Sequence, residues 1–192
     1  MGLQKFSEHK VLSTLTGLFS DHGYDGTSLS LIMQKTGLVK ASIYHRFAGG
    51  KEEMAATVID RAAGEFASYL LAPLNERGDP ARRLRQTAQR LRTFYASGKK
   101  ACLLDTLTLN RESPVRDRAK VALEFWIDSF ARFAEHSGGF PRRLALERAE
   151  DAVAALEGGL VIARVSANTA PFLRAIESLP ERLMLPTVRV SK

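Results

Sequence analysis

Cysteine is almost absent from this 192-residue chain, where Cys102 stands alone. A single thiol excludes an internal disulfide, a cysteine-based zinc finger and a C-x-x-C redox pair, and it suits a reducing compartment. Long hydrophobic runs are missing as well. No apolar stretch approaches the roughly 18 residues of a membrane span, and the opening MGLQKFSEHK lacks the apolar centre of a signal peptide. Phe6 stands where a myristoylation pattern requires Ser or Thr. These absences lead to the expectation of a soluble, cytoplasmic protein with no membrane partner. Catalytic signatures are lacking too. His9, His22, His45 and His136 are scattered without metal-ligand spacing. There is no G-x-S-x-G and no phosphate-cradling glycine loop. An enzyme, a bound metal and a cofactor are therefore not expected.

What the chain does contain is charge and helical periodicity. Lys and Arg number 28 against 21 Asp and Glu, a formal net charge of +7. That excess favours a polyanionic partner, though it does not distinguish DNA from RNA or an acidic membrane. Hydrophobic residues make up 45% of the chain, enough for a real core in one domain or in a small domain plus a larger one. No segment alternates in the manner of a strand, and no repeat or low-complexity tract is visible. The fold class is all-α.

Residues 27–54, TSLSLIMQKTGLVKASIYHRFAGGKEEM, carry the most information. Leu29, Ile32, Met33 and Thr36 form the stripe of an amphipathic helix, with Thr27 and Ser28 as candidate N-caps and Gly37 just past its end. A second short helix follows, with Val39, Ile43 and Phe47 spaced four apart on its inner side. Lys40, Ala41, Tyr44 and His45 take the opposite side, with Ser42 at the border. A short helix showing a cation, a small residue, a hydroxyl and two flat rings suits the DNA major groove. That groove admits one helix and presents donors, acceptors and thymine methyls. Thr27, Ser28, Tyr44 and Lys51 fit backbone positioning better than base reading. The double glycine Gly49-Gly50 breaks this helix before Lys51, Glu52 and Glu53 open the next.

From about Val11 to Met54, the order of these elements resembles the N-terminal DNA-binding domain of the TetR family of bacterial repressors. The resemblance rests on the first helix ending LFSDHGYDG, the T-S helix start, the K-x-x-I-Y-H-x-F recognition helix and the K-E-E start of a fourth helix. FAGGKEEM and the later LEGGLVIARVSANTAPF are similar to a branch that includes drug-responsive repressors of efflux genes. One position departs from the pattern. Most relatives carry Ser or Thr where this chain has Val39, so a capping contact worth roughly 0.5–2 kcal/mol is absent. The resemblance implies a DNA-binding head over residues 1–50 and a helical ligand-binding and dimerisation domain over 51–192. It further implies a homodimer on a palindromic double-stranded operator, released by a small apolar or aromatic effector.

The remaining sequence reads as helices from Lys51 to about Leu71, Arg82 to Ala96, Pro114 to about His136, Leu144 to about Ala167, and a last one after Pro171. KKACLLDTLTLN reads as a short buried helix or turn, ended by NRESP, and the tail TVRVSK as frayed. The aromatic set Phe94, Tyr95, Phe125, Trp126, Phe130 and Phe133 reads either as plain core or as the lining of a ligand cavity. Phe94, Phe125, Trp126 and Phe130 are the candidate lining residues. Cys102 reads as a small buried hydrophobe. The stretch Arg82, Arg83, Arg85, Arg90 and Arg92 reads as a solvated face. Gly158 and Gly159 interrupt a good helix at about 1 kcal/mol each, which calls for a close approach of another helix. Ala152, Ala155, Gly159 and Ala163 are the small residues proposed for it. The resemblance implies a dimer interface there, and a packing contact inside one subunit is the alternative.

Overall fold

The computed structural model describes residues 7–109 and 113–185. The N-terminal readings up to Phe6, most of NRESP and the tail TVRVSK fall outside those residues. All regular structure among the described residues is helical: α1 Glu8–Gly26, α2 Leu29–Thr36, α3 Lys40–Arg46, α4 Gly50–Glu65, α5 Pro80–Phe94, α6 Leu103–Leu107, α7 Arg116–His136, α8 Arg142–Ser166, α9 Ala170–Glu177 and α10 Leu179–Leu183.

Two compact units emerge, Met1–Ala63 with Cys102–Ala122, and Gly64–Ala101 with Leu123–Lys192. The first is wider than the 1–50 head read from sequence, because most of α4, α6 and the start of α7 share its core. That core gathers Val11, Leu12, Leu15, Leu18 and Phe19 of α1 around Ile32, Ile43, Phe47, Met54, Val58 and Ile59. Leu103 and Leu107 of α6 complete it. Each fully buried aliphatic side chain contributes about 1.5–3 kcal/mol. α1 is capped by Ser7, whose hydroxyl accepts from the Lys10 N–H at 3.3 Å. Gly23 does not end this helix outright. It breaks it at φ +68°, ψ −174°, and one more turn runs on to Gly26. A side chain there is excluded, since a β-carbon on Gly23 would stand 2.9 Å from the Thr106 carbonyl oxygen of α6.

In the second unit, α5 starts where Pro80 supplies a preset φ and Asp79 accepts from the amides of Ala81 and Arg82 at 3.3 and 3.0 Å. The helix expected to run from Lys51 to Leu71 keeps α geometry only to Glu65. It widens into a π turn over Phe66–Leu70 and then tightens into a 3-10 turn over Ala72–Asn75. Pro73 lacks the N–H that a continuing α-helix would need at that point. Farther on, α8 lies along α9 and α10. The final expected helix divides in two, with Pro180 in the first turn of α10. Leu70, Leu84, Leu91, Trp126, Phe130, Phe172 and Leu179 are among the deepest side chains of this core.

Candidate nucleic-acid interface

α2 and α3 form a helix-turn-helix. Ser28 is the N-cap of α2, its hydroxyl accepting from the Leu31 N–H at 3.1 Å. Gly37 closes α2 in the left-handed conformation at φ +72°, its N–H bonded to the Met33 carbonyl at 2.9 Å. The Thr36 hydroxyl then accepts from the Leu38 N–H at 3.3 Å, fixing the turn. Val39 occupies the N-cap of α3 with no side-chain hydrogen bond, and it is 63% exposed.

A helix of seven residues is marginal by itself, so α3 depends on what it buries. Ile43 is fully enclosed and Phe47 nearly so. Lys40, Ala41, Tyr44 and His45 are exposed together on the other side, with Ser42 half-buried. Immediately after α3, Gly50 adopts φ +65°. Its N–H bonds the Phe47 carbonyl at 2.9 Å, and the Gly49 N–H donates to the Glu53 carboxylate at 2.7 Å. A β-carbon on Gly50 would lie 3.6 Å from the Tyr44 ring, so the double glycine brings the start of α4 beneath that tyrosine.

Two of the expected backbone-positioning residues have other tasks. Thr27 is completely buried, and its hydroxyl donates to the Gly23 and Leu18 carbonyls at 2.7 and 3.2 Å. It ties the kink of α1 together and cannot offer its side chain to a phosphate. Only Ser28 of the pair is both exposed and a cap. Lys51 is half-buried, donating to the Tyr24 carbonyl at 2.9 Å with its ammonium 4.3 Å from the Tyr24 ring centroid. One donor of that ammonium is therefore spent on anchoring α4 to the end of α1. Tyr24 in turn stacks on Phe19. Burial, then the charges of Glu52 and Asp25, push its phenol pKa above the usual 10.0.

In the second unit, an edge-to-face chain of rings runs from Phe172 through Tyr95, Phe94 and Phe66 to Trp126 and Phe130. Phe66, which the sequence reading did not single out, is the link. Its ring centroid is 4.7 Å from that of Trp126 and 6.0 Å from that of Phe94. Phe125 does not belong to this set. It is 43% exposed, one residue round α7 from the buried Trp126. Trp126 keeps its indole N–H without a hydrogen-bond partner among the described residues, as does the buried Thr87 hydroxyl.

The small-residue face proposed for dimer contact is also corrected. Ala152, Gly159 and Ala163 are buried within one chain, and Ala155 is half-buried. A β-carbon on Gly159 would stand 2.7 Å from the Phe172 Cα, so this face of α8 is spent on α9. The outer face is a different stripe: Ala154, Gly158, Val161, Ile162 and Val165 are all exposed. Ile162 is 50% and Val165 81% exposed. A helix apolar on both sides has no polar face to show which side is taken inside the subunit.

A helix-turn-helix whose second helix is seated by Ile43 and shows Lys40, Tyr44 and His45 outward, in a chain completed by a separate helical unit, defines a class. It is the DNA-binding transcriptional regulator, and not an enzyme. The model of bacterial regulatory proteins of the tetR family matches residues 11–58. The model of the LmrA/YxaF-like transcriptional regulator C-terminal domain matches residues 80–178. The chain belongs to the TetR family of transcriptional regulators. It is 26% identical over 182 residues to the HTH-type transcriptional regulator LmrA of Bacillus subtilis, covering 92% of this chain and 96% of the relative. Over 62 residues, 32% of this chain and 33% of the relative, it is 34% identical to IcaR of Staphylococcus epidermidis, the HTH-type negative transcriptional regulator of the biofilm operon icaADBC. A TetR transcriptional regulator from Legionella pneumophila has the same fold, with a TM-score of 0.82 at 21% identity over 95% of this chain and 100% of that one. Regulators of this family bind DNA and act as dimers. No helix among the described residues is long and apolar enough to cross a membrane.

Proposed function

We propose that this regulator is a cytoplasmic repressor that sits on a palindromic operator as a homodimer and is released by a small aromatic effector. The observation that carries the operator reading is the outward set Lys40, Ala41, Tyr44 and His45 on α3. Lys40 can donate to guanine or phosphate, and the rings and Ala41 can reach thymine methyls and phosphates. Ser28, Ser42 and the free donors of Lys51 supply further backbone contacts, and Val39 leaves the first amides of α3 for a phosphate oxygen or water. The likeness to a negative regulator supports repression.

The dimer is formed by the outer stripe of α8, Ala154 to Val165. Two-fold symmetry then repeats α3 about 34–36 Å away, or at a multiple, on successive major grooves. The effector binds at Phe94, Phe66, Trp126 and Phe130. An indole N–H left unspent in a core costs about 1–3 kcal/mol, and a ligand acceptor placed against it removes that cost. An effector that prefers the released state 100-fold contributes about 2.7 kcal/mol per site, enough to compete with operator binding. α4 and α7 each belong to both units, which provides two covalent routes for the change.

The test is selection of genomic fragments by the purified protein, followed by titration with flat aromatic compounds. An enriched palindrome is expected, with Lys40→Ala or Tyr44→Ala abolishing the enrichment at unchanged helicity. Compounds that quench Trp126 should also weaken operator binding. No enriched sequence at low salt would remove the repressor reading, and quenching without loss of DNA affinity would remove the switch.

A further inference from the structure

The unit that contains the helix-turn-helix carries little of the net positive charge, although residues 29–46 themselves hold Lys35, Lys40 and Arg46 and no carboxylate. The first unit carries eleven Lys and Arg against nine Asp and Glu. Residues 77–100, which contain α5, hold eight Lys and Arg against one carboxylate, Asp79. Their net +7 equals that of the entire chain, since the remaining twenty cations and twenty carboxylates cancel.

Part of this charge has a structural use. Arg83 donates to the Pro73 and Leu74 carbonyls and to the Ser137 hydroxyl, and Arg90 caps the Tyr69 ring and carbonyl. Lys100 lies over Phe94. Arg82, Arg85 and Arg92 have no such use. Leu84, Thr87 and Leu91 face inward from α5, which turns residues 82, 85, 89 and 92 outward as one exposed stripe. Arg85 meets Asp79 only at 3.7 Å, with both side chains mostly exposed, a pairing of little worth. Among the described residues, Arg82 and Arg92 have no carboxylate partner.

We propose that Arg82, Arg85 and Arg92 form a second DNA contact, sequence-independent and separate from α3, that engages the phosphates of duplex DNA. The three guanidiniums span about 15 Å of a rigid helix, a length over which duplex DNA presents about nine phosphate charges. Arginine in place of lysine suits the role, because its planar fork matches phosphate oxygens bidentately. No acid interrupts residues 80–94, so the stripe repels no phosphate along its length. Gln89 adds a neutral donor between Arg85 and Arg92.

The experiment measures binding of the full-length protein to a scrambled duplex across a salt series, with and without R82Q/R85Q/R92Q. Each measurement is repeated in a K40A/Y44A background, which removes the α3 contacts and so separates this proposal from the operator reading. The K40A/Y44A protein should still bind the scrambled duplex. The triple substitution should then flatten the log-affinity against log-salt slope by about 2–3 per protomer, at about 0.9 for each lost phosphate contact. With α3 intact, the preference for operator over scrambled duplex should survive. An unchanged slope in a triple variant of normal helicity would overturn the proposal. If the triple variant fails to fold, R92E alone must weaken scrambled-duplex binding, and no effect would be equally decisive. Competition by polyglutamate as effective as that by DNA, charge for charge, would also overturn it, because an acidic polypeptide would then be the better partner.

Discussion

The backbone of Phe172, in the first turn of α9, passes so close to Gly159 of α8 that a β-carbon on the glycine would stand 2.7 Å from the Phe172 Cα and 3.0 Å from its N. These are backbone atoms and cannot rotate away. Gly159→Ala should therefore destabilise the second unit by about 1–3 kcal/mol, the usual cost of overpacking, despite the better helix propensity of alanine. Denaturant unfolding checks the sign. A more stable alanine variant would mean that α8 and α9 are farther apart than described.

The outer stripe of the same helix makes the opposite prediction. Ile162 is half exposed, so Ile162→Glu should leave the folded subunit intact while separating the dimer. Light scattering at micromolar concentration should report the monomer mass, with far-UV dichroism unchanged. A dimer that persists through this substitution would place the interface elsewhere.

Val39 offers a gain. Its backbone is extended at φ −78°, ψ 157°, as an N-cap requires, and its side chain accepts nothing. Val39→Ser should add the missing acceptor and stabilise the head by about 0.5–2 kcal/mol. Thermal denaturation is the readout. A loss of stability would show that the exposed valine packs on something the cap argument omits.

Thr27 tests the corrected role of the helix start. Removing its hydroxyl in Thr27→Val leaves the Leu18 and Gly23 carbonyls short of a partner, and about 1–3 kcal/mol of head stability should go with it. The salt slope of DNA binding should not move, because a side chain with no exposed surface neutralises no phosphate. A flatter slope at full stability would return Thr27 to the interface.

Tyr24 makes a prediction about pH. Its phenol pKa is raised in the folded head, chiefly by burial and further by Glu52 and Asp25. A group raised on folding contributes stability that is complete below its unfolded value of about 10 and is lost as pH rises through the folded value. Head stability should thus fall above about pH 10, and Tyr24→Phe should lessen that fall. Ultraviolet titration of phenolate should show a late-ionising tyrosine in the wild type that is missing from the variant.

The head was largely legible from sequence because its signals are local. Leu29, Ile32 and Thr36 repeat at helical spacing, Ser28 caps, and Gly37 takes a positive φ that few other residues adopt. Each is decided within one or two turns of chain. The same local reading failed at Thr27, which looks like Ser28 as a cap candidate. Its hydroxyl is claimed by the Leu18 and Gly23 carbonyls, which only the kink at Gly23 brings within reach. Nor did that reading reveal that the Lys51 ammonium also finds the carbonyl of Tyr24, 27 residues away.

The second unit shows the limit more plainly. Sequence alone determined that α8 is a helix with two adjacent glycines and that something must approach it closely. Both of its sides are apolar, and 3.6-residue periodicity does not say which apolar stripe is taken by the same chain. The tertiary structure decided that by laying Phe172 on Gly159, which spends Ala152 and Ala163 inside the subunit and leaves Val161, Ile162 and Val165 outside. It also separated Phe125 from Trp126, neighbours in sequence that a helix turns about 100° apart, and inserted Phe66 from the π turn between Trp126 and Phe94. Helix formation is a short-range property of the chain. Which face is buried depends on what the rest of the chain brings to it.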